Sequence, residues 1–210
     1  MKRIAIIGSG HLGQQIVYHI HQDTEDKVIA FFDEFQEKGN LVNEIPVIGG
    51  NNDVLREFEN NSFDEILIAI GYKHIDFKKN IFEELKNKVP FYTFVHSSVY
   101  VDSSAKIGKG SVIYPRCVID REVEIGENVL LNVSCAVAHD TKIESHSFLS
   151  PSVAVAGFVN VGEQCILGIN STIIDNIIII SKTQIGGGTV VINNIEKPGL
   201  YVGNPARFVR

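Results

Sequence analysis

The sequence predicts two folds in series. A small α/β unit with a parallel sheet occupies residues 1–94, and a parallel β-helix follows over 95–195, with a tail at 196–210. Three observations predict this. The first part is denser in charge, with 10 Lys/Arg and 15 Asp/Glu against 9 and 10 in the second. Short apolar runs alternate with helix-period segments before residue 94. After it, a strict six-residue period takes over.

The elements of the first part follow in order. Arg3–Ile7 is a short apolar run that reads as a buried parallel strand. The turn Gly8-Ser9-Gly10 follows, and Leu12, Ile16, Val17 and Ile20 recur at helical spacing. Val28–Phe32 is a second strand, ending at Asp33-Glu34. Asn52 is the expected cap of a helix running to about Asn60. Glu65–Ile70 reads as a third strand closed by Gly71. Asp76–Val89 reads as a helix with Phe77, Ile81, Phe82 and Leu85 on its core face. Phe91–Phe94 is the expected fourth strand. The alternation implies a parallel sheet with flanking helices.

In the second part, stepping by six from Val95 to Val191 meets 17 positions, all of them Ile, Leu or Val. The position four residues after each, from Val99 to Ile195, is never charged and never aromatic. A large aliphatic residue and a smaller one, both pointing inward, suit a narrow parallel β-helix. Three hexads close one triangular coil of 18 residues, and coils stack at about 4.8 Å. Cys117, Cys135 and Cys165 all fill the small inward slot, so they read as buried small hydrophobes. Ile174, Ile178 and Ile180 occupy outward positions and predict a subunit interface. From Gly199 to Arg207 the period breaks, and the tail is expected to fold back as a cap or a ligand wall.

Composition narrows the function. With 210 residues, 44% hydrophobic and 21% charged, the chain is neither disordered nor a disulfide scaffold. No apolar run approaches 18 residues, so no membrane span is expected. Lys2 and Arg3 precede an apolar stretch that stops at Gly8, too short for a secretory signal. A net charge of −6 disfavours nucleic acid as a partner. An odd count of 3 Cys points to a reduced, cytoplasmic setting.

Two places carry chemistry. Gly8-Ser9-Gly10-His11-Leu12-Gly13 matches GxGxxG between a strand and a helix, where backbone N–H groups meet phosphate. Asp33, 20 residues after Gly13, stands where an acid can bind a ribose hydroxyl. Four strands make only half of a dinucleotide-binding domain, so a single nucleotide or nucleotide-sugar fits the space better. A redox dinucleotide and an empty glycine turn stay open. The second place is His139-Asp140, at a coil edge, where Asp140 can orient the imidazole of a general base. One coil onward lies Gly157, whose N–H is then open to a ligand oxygen. An exposed, idle histidine is the alternative. His96 lies 43 residues before His139, out of step with an 18-residue coil, so with His146 it makes no metal site. His19, His21 and His74 read as surface residues of helices.

These motifs together, with LGINS at 167–171, IGGGTVV at 185–191 and VGNPAR at 202–207, resemble the sugar acetyltransferases of the PglD/NeuD type. The resemblance covers nearly the whole chain. It implies a small Rossmann-like parallel α/β domain that binds a nucleotide-sugar, followed by a left-handed parallel β-helix that assembles as a homotrimer. It implies acetyl-CoA as co-substrate, no metal, and a nucleotide-linked amino sugar of the 4-amino-4,6-dideoxy type as acceptor, in surface glycan synthesis. By resemblance, Ser9, Gly10 and His11 touch the nucleotide-sugar, Asp33, Glu34 and Phe35 meet base and ribose, and Gly71 closes the site. His139 is the base, Asp140 raises its basicity, and Asn132 lies near the acceptor sugar. Gly157 faces the thioester oxygen, and Ile169 and Gly187 contact acetyl-CoA. Phe148 fills the place of a histidine that often contacts acetyl-CoA, and Gly71-Tyr72-Lys73 departs from the usual glycine–asparagine/aspartate pair. O-acetylation of a free sialic-type sugar, and a non-catalytic scaffold for sugar nucleotides, are the alternatives.

Overall fold

In the computed structural model, which describes residues 1–210, the first sheet has five strands. Their order is Leu41–Val42, Ile45–Gly49, Lys27–Phe32, Arg3–Ile7 and Glu65–Ile68. All neighbours are parallel except the hairpin of the first two. Ile4, Ala5, Ile6 and Ile7 are buried, as a strand covered on both faces requires. The helix His11–Asp23 buries Gly13, Ile16, Val17 and Ile20. A Cβ on Gly13 would collide with the Gly8 carbonyl, so helix and turn approach this closely only through glycine.

Three expectations are corrected here. Phe91 makes a single bridge to Ile66, and the strand that follows, Phe94–Val95, joins a sheet of the β-helix. The fourth parallel strand is Ile45–Gly49, in which Ile45, Val47 and Gly49 are buried in alternation. Pro46 disguises it, and is tolerated because the strand's N-terminal end faces only the short hairpin partner. The expected helix after Asn52 is a 3₁₀ turn, Asn51–Asp53, followed by Val54–Glu59, and the Asp53 carboxylate accepts the Gly50 N–H at 3.0 Å. The third helix is Ile75–Leu85, whose buried face is Lys78, Ile81, Phe82 and Leu85. Phe77 is 46% exposed and belongs to no core.

The chain divides into two units, Met1–Phe94 and Val95–Arg210. In the second, strands of two residues recur every six and pair in parallel with strands 18 residues away. Ile119 lies beside Val137, and Val137 beside Val155. The pairs build three faces, represented by the strands Ala136–Val137, Lys142–Ile143 and Phe148–Leu149. The hexad positions fill the axis: Ile119, Leu131, Val137, Ile143, Leu149 and Leu167 are fully or almost fully buried.

The small inward slot has a second task. Ser111 Oγ donates to the Gly126 carbonyl at 2.9 Å, Thr141 Oγ1 to Ala156 at 2.8 Å and Ser147 Oγ to Gly162 at 3.1 Å. Each satisfies a turn carbonyl 15 residues on. The cysteine thiols donate in the same way, Cys117 to Asn132, Cys135 to Ser150 and Cys165 to Ile180. Burial pushes the Cys165 thiol up to about 12.

Each turn also needs one residue in left-handed backbone. From Gly110 to Gly188 every sixth residue has φ between 55° and 73°. The outer faces differ. On one, Lys106, Glu124 and Lys142 form a solvent-exposed charge ladder. Of the outward isoleucines, Ile178 is 53% exposed, whereas Ile174 packs against the core. Residues 199–202 add a parallel strand beside Thr183–Ile185, then reverse into Arg207–Phe208, and Tyr201 and Ala206 pack on the end of the core. The tail therefore caps the helix. No helix is long and apolar enough to cross a membrane.

Candidate functional site

The first candidate site grows out of sheet topology. Arg3–Ile7 is flanked on both sides, by Lys27–Phe32 and Glu65–Ile68, so a crevice opens at its C-terminal end. The glycine turn lies there, with Gly8 at φ +99°, and the helix that begins at His11 turns its free N–H groups toward it. Asp33 pins this turn. Its Oδ2 accepts Ser9 N–H at 2.8 Å and Ser9 Oγ–H at 2.6 Å, and its Oδ1 accepts Phe35 N–H at 2.9 Å. Burial pushes the Asp33 carboxyl up, but these hydrogen bonds outweigh it and hold the group below the usual carboxylate range. Oδ1 keeps a lone pair for a ligand hydroxyl. Glu34 is occupied, accepting Asn51 N–H at 2.6 Å.

A cleft of about 490 Å³ opens beside this turn, lined by Gly8, Gly10, Asp33, Glu34, Phe35 and Gly71 among others. A neighbouring hollow of about 350 Å³ shares Gly10, Asp33 and Phe35 and adds Ser9 and His11. Every residue singled out in this unit therefore lines one or the other. Phe35, 94% exposed, is a free aromatic face at the rim. The sequence reading missed His74 and Phe77, which also line the cleft. Phe77 has the spacing of a core residue, and only the orientation of its helix shows otherwise.

The second site is a corner of the β-helix. His139 Nδ1 lies 3.0 Å from Asp140 Oδ2, which leaves Nε2 as the nitrogen open to a ligand. Arg121 Nη2 stands 3.7 Å from the same carboxylate oxygen. The imidazole lies flat over Gly157: a Cβ there would stand 2.7 Å from Cε1 and 3.0 Å from Nε2. The Gly157 carbonyl accepts Asn176 N–H, and its own N–H has no acceptor in the chain. The Phe158 and His139 rings pack in a T-shape, with centroids 5.2 Å apart and planes at 83°.

The remaining candidates lie apart from this corner. Asn132, Ile169 and Gly187 occupy the preceding corner, across the face that carries Ala136–Val137 and Ala154–Val155. Asn132 Oδ1 accepts Val133 N–H, and Ile169, 56% exposed, stacks directly on Gly187. Between the two corners runs a shallow groove of about 260 Å³, lined by Ala136, Ala138, Ala154 and Ala156. Phe148 is buried on another face, between Leu130 and Ile166. His146 is 1% exposed at the third corner, 2.9 Å from Asn128 and 3.7 Å from Glu163.

Residues 3–85 match the family model of the PglD N-terminal domain. The first unit is similar to a PglD N-terminal domain. Residues 95–183 match the model of the GMPPB C-terminal domain. Three solved structures share the whole fold. One is a variant of perosamine N-acetyltransferase from Caulobacter crescentus in complex with CoA and GDP-perosamine. It has 23% identity and a TM-score of 0.91, and the match covers 100% of this chain and 98% of that one. Another is the acetyltransferase domain of PglB from Neisseria gonorrhoeae FA1090 with acetyl coenzyme A, at 24% identity and TM-score 0.88, covering 99% of both chains. The third is WeeI from Acinetobacter baumannii AYE, at 21% identity and TM-score 0.84, covering 100% of both. The first unit is thus Rossmann-like and the second a left-handed parallel β-helix.

Proposed function

We propose that this chain transfers the acetyl group of acetyl-CoA to the amino group of a nucleotide-linked amino sugar, with His139 as general base. The observation that carries the reading is the His139 corner. An imidazole oriented by a carboxylate, with Nε2 open, lies against a glycine whose N–H is unbonded. That pairs a proton acceptor with an oxyanion donor. The cleft of the first unit supports the acceptor: glycine N–H groups for phosphate, Oδ1 of Asp33 for a ribose hydroxyl and the exposed Phe35 ring for a base. The alanine-lined groove supports the donor, since it offers an apolar track whose lining residues Ala138 and Ala156 immediately precede His139 and Gly157 in the chain. The likeness to chains that bind CoA and GDP-perosamine points the same way.

In the reaction, the sugar nitrogen attacks the thioester carbonyl and its C–N bond forms. His139 Nε2 takes the proton that the nitrogen sheds. Gly157 N–H stabilises the oxyanion. The C–S bond then breaks, the amide carbonyl re-forms, and the CoA thiolate is protonated by the imidazolium. Amines attack thioesters readily, so most of the rate comes from positioning. Asn132, Ile169 and Gly187 sit on a different corner from His139, and a donor held between neighbouring copies of a trimer would bring both corners to one site. The test is thiol release from acetyl-CoA against a panel of nucleotide-linked 4-amino-4,6-dideoxy sugars. Release with one or more of them supports the reading. Release with none, but with a free sialic-type sugar, would replace it by O-acetylation.

A further inference from the structure

We infer that Phe158 is a positioning residue whose ring clamps the His139 imidazole against Gly157, and that the chain accepts backbone strain to hold it there. The inference rests on the reading of His139 as the base.

The geometry comes first. Phe158 follows Gly157 and stands one coil beyond Asp140, 18 residues on. Its N–H donates to the His139 carbonyl at 3.2 Å, so the two residues are tied at the backbone as well. Its ring meets His139 edge to face, at 5.2 Å and 83°. Asp140 holds the imidazole at Nδ1, Gly157 lies beneath it, and Phe158 closes one side. Without Phe158, the first two contacts still allow the ring to swing about the Nδ1 hydrogen bond.

The conformation comes second. Phe158 has φ +57°, the left-handed region that a side chain with a bulky Cβ substituent disfavours. The equivalent position of other turns is Gly, Asn or Asp at Gly110, Asn128, Asp140, Asn170, Asn176 and Gly188, Ser at Ser134 and Ser152, and a longer polar side chain at Arg116, Glu122, His146, Gln164 and Lys182. Phe158 alone places a benzyl group there. Core packing does not explain the choice, because the residue is 55% exposed and lies outside the β-helix core. An apolar ring that is strained, half in solvent and in contact with the candidate base is the pattern of stability given up for a site.

The test compares wild type with Phe158→Asn and Phe158→Tyr. Asn suits the left-handed backbone, so Phe158→Asn should melt no lower than wild type, and up to about 4 °C higher. In spectra of the protein labelled at its histidine rings, the His139 resonance should shift and broaden. With an acceptor that the thiol-release assay identifies, kcat should fall about 10- to 100-fold while KM for acetyl-CoA stays within about twofold. Phe158→Tyr should restore the His139 signal and kcat. A His139 resonance unchanged in Phe158→Asn would overturn the inference. So would a clear fall in Tm or failure to fold, since the residue would then be structural. The spectra and the melting need no substrate. If the wild type transfers no acetyl group, the base assignment fails, while these two measurements still decide the clamp.

Discussion

Gly157 and His139 stack so closely that a single methyl group on the glycine would stand 2.7 Å from the imidazole Cε1. Such a contact cannot be kept, and the imidazole, a side chain against backbone, is the group that must shift. Gly157→Ala should therefore displace His139 and lower turnover by about 100-fold. The Gly157 backbone is not left-handed, so alanine adds no strain there and Tm should hold within about 2 °C. Steady-state rates and a melting curve on the same preparation check both. Wild-type turnover in Gly157→Ala would remove the glycine from the site.

Asp33 fixes the glycine turn through two hydrogen bonds from Ser9. Asp33→Asn removes the charge and leaves an oxygen and an NH₂ where a carboxylate accepted three donors. Hydrogen bonds to charged groups contribute about 1.5–3 kcal/mol, so nucleotide affinity should fall at least tenfold. The pH dependence follows from the lowered carboxyl of Asp33. Its folded value lies below its unfolded one. The stabilisation is therefore fully present above the unfolded value of about 3.9 and is lost as pH falls through the lower, folded one. Binding of a nucleoside diphosphate, measured by calorimetry, should be unaffected by Asp33 titration from pH 7 to about pH 5. A loss of binding in that range that Asp33→Asn abolishes would contradict this.

The three cysteines should be inert. Each thiol is buried and donates to a carbonyl, and Cys165 is held in its protonated form far above neutrality. A colorimetric thiol reagent should count none in the native protein within minutes and three in guanidinium chloride. Cys165→Ser should fold normally, because the same slot holds Ser111 and Ser147 with the same hydrogen bond. A thiol that reacts promptly in the native state would show that its coil opens.

Much of this was legible before any coordinates. The hexad register from Val95 to Val191 fixes which side chains meet across coils, since a parallel stack with constant coil length has no freedom of register. That is why Gly157 could be placed on His139 from a separation of 18 residues. The first unit was less transparent. Ile45–Gly49 was hidden by Pro46, and Phe77 carried a core spacing but turned to the cleft. Those features depend on how a helix or hairpin sits on the sheet, which local periodicity does not encode. Phe158 was missed for a related reason: nothing in the repeat marks it, and its meaning lies in a φ value and a ring contact.

The most direct test of the account is turnover of His139→Ala with acetyl-CoA and a nucleotide-linked amino sugar that the wild type accepts. The account predicts kcat lower by about 10² to 10⁴, with acetyl-CoA and acceptor binding nearly unchanged. Turnover at the wild-type rate would show that some other group takes the proton, and the reading of this corner as the catalytic centre would fall.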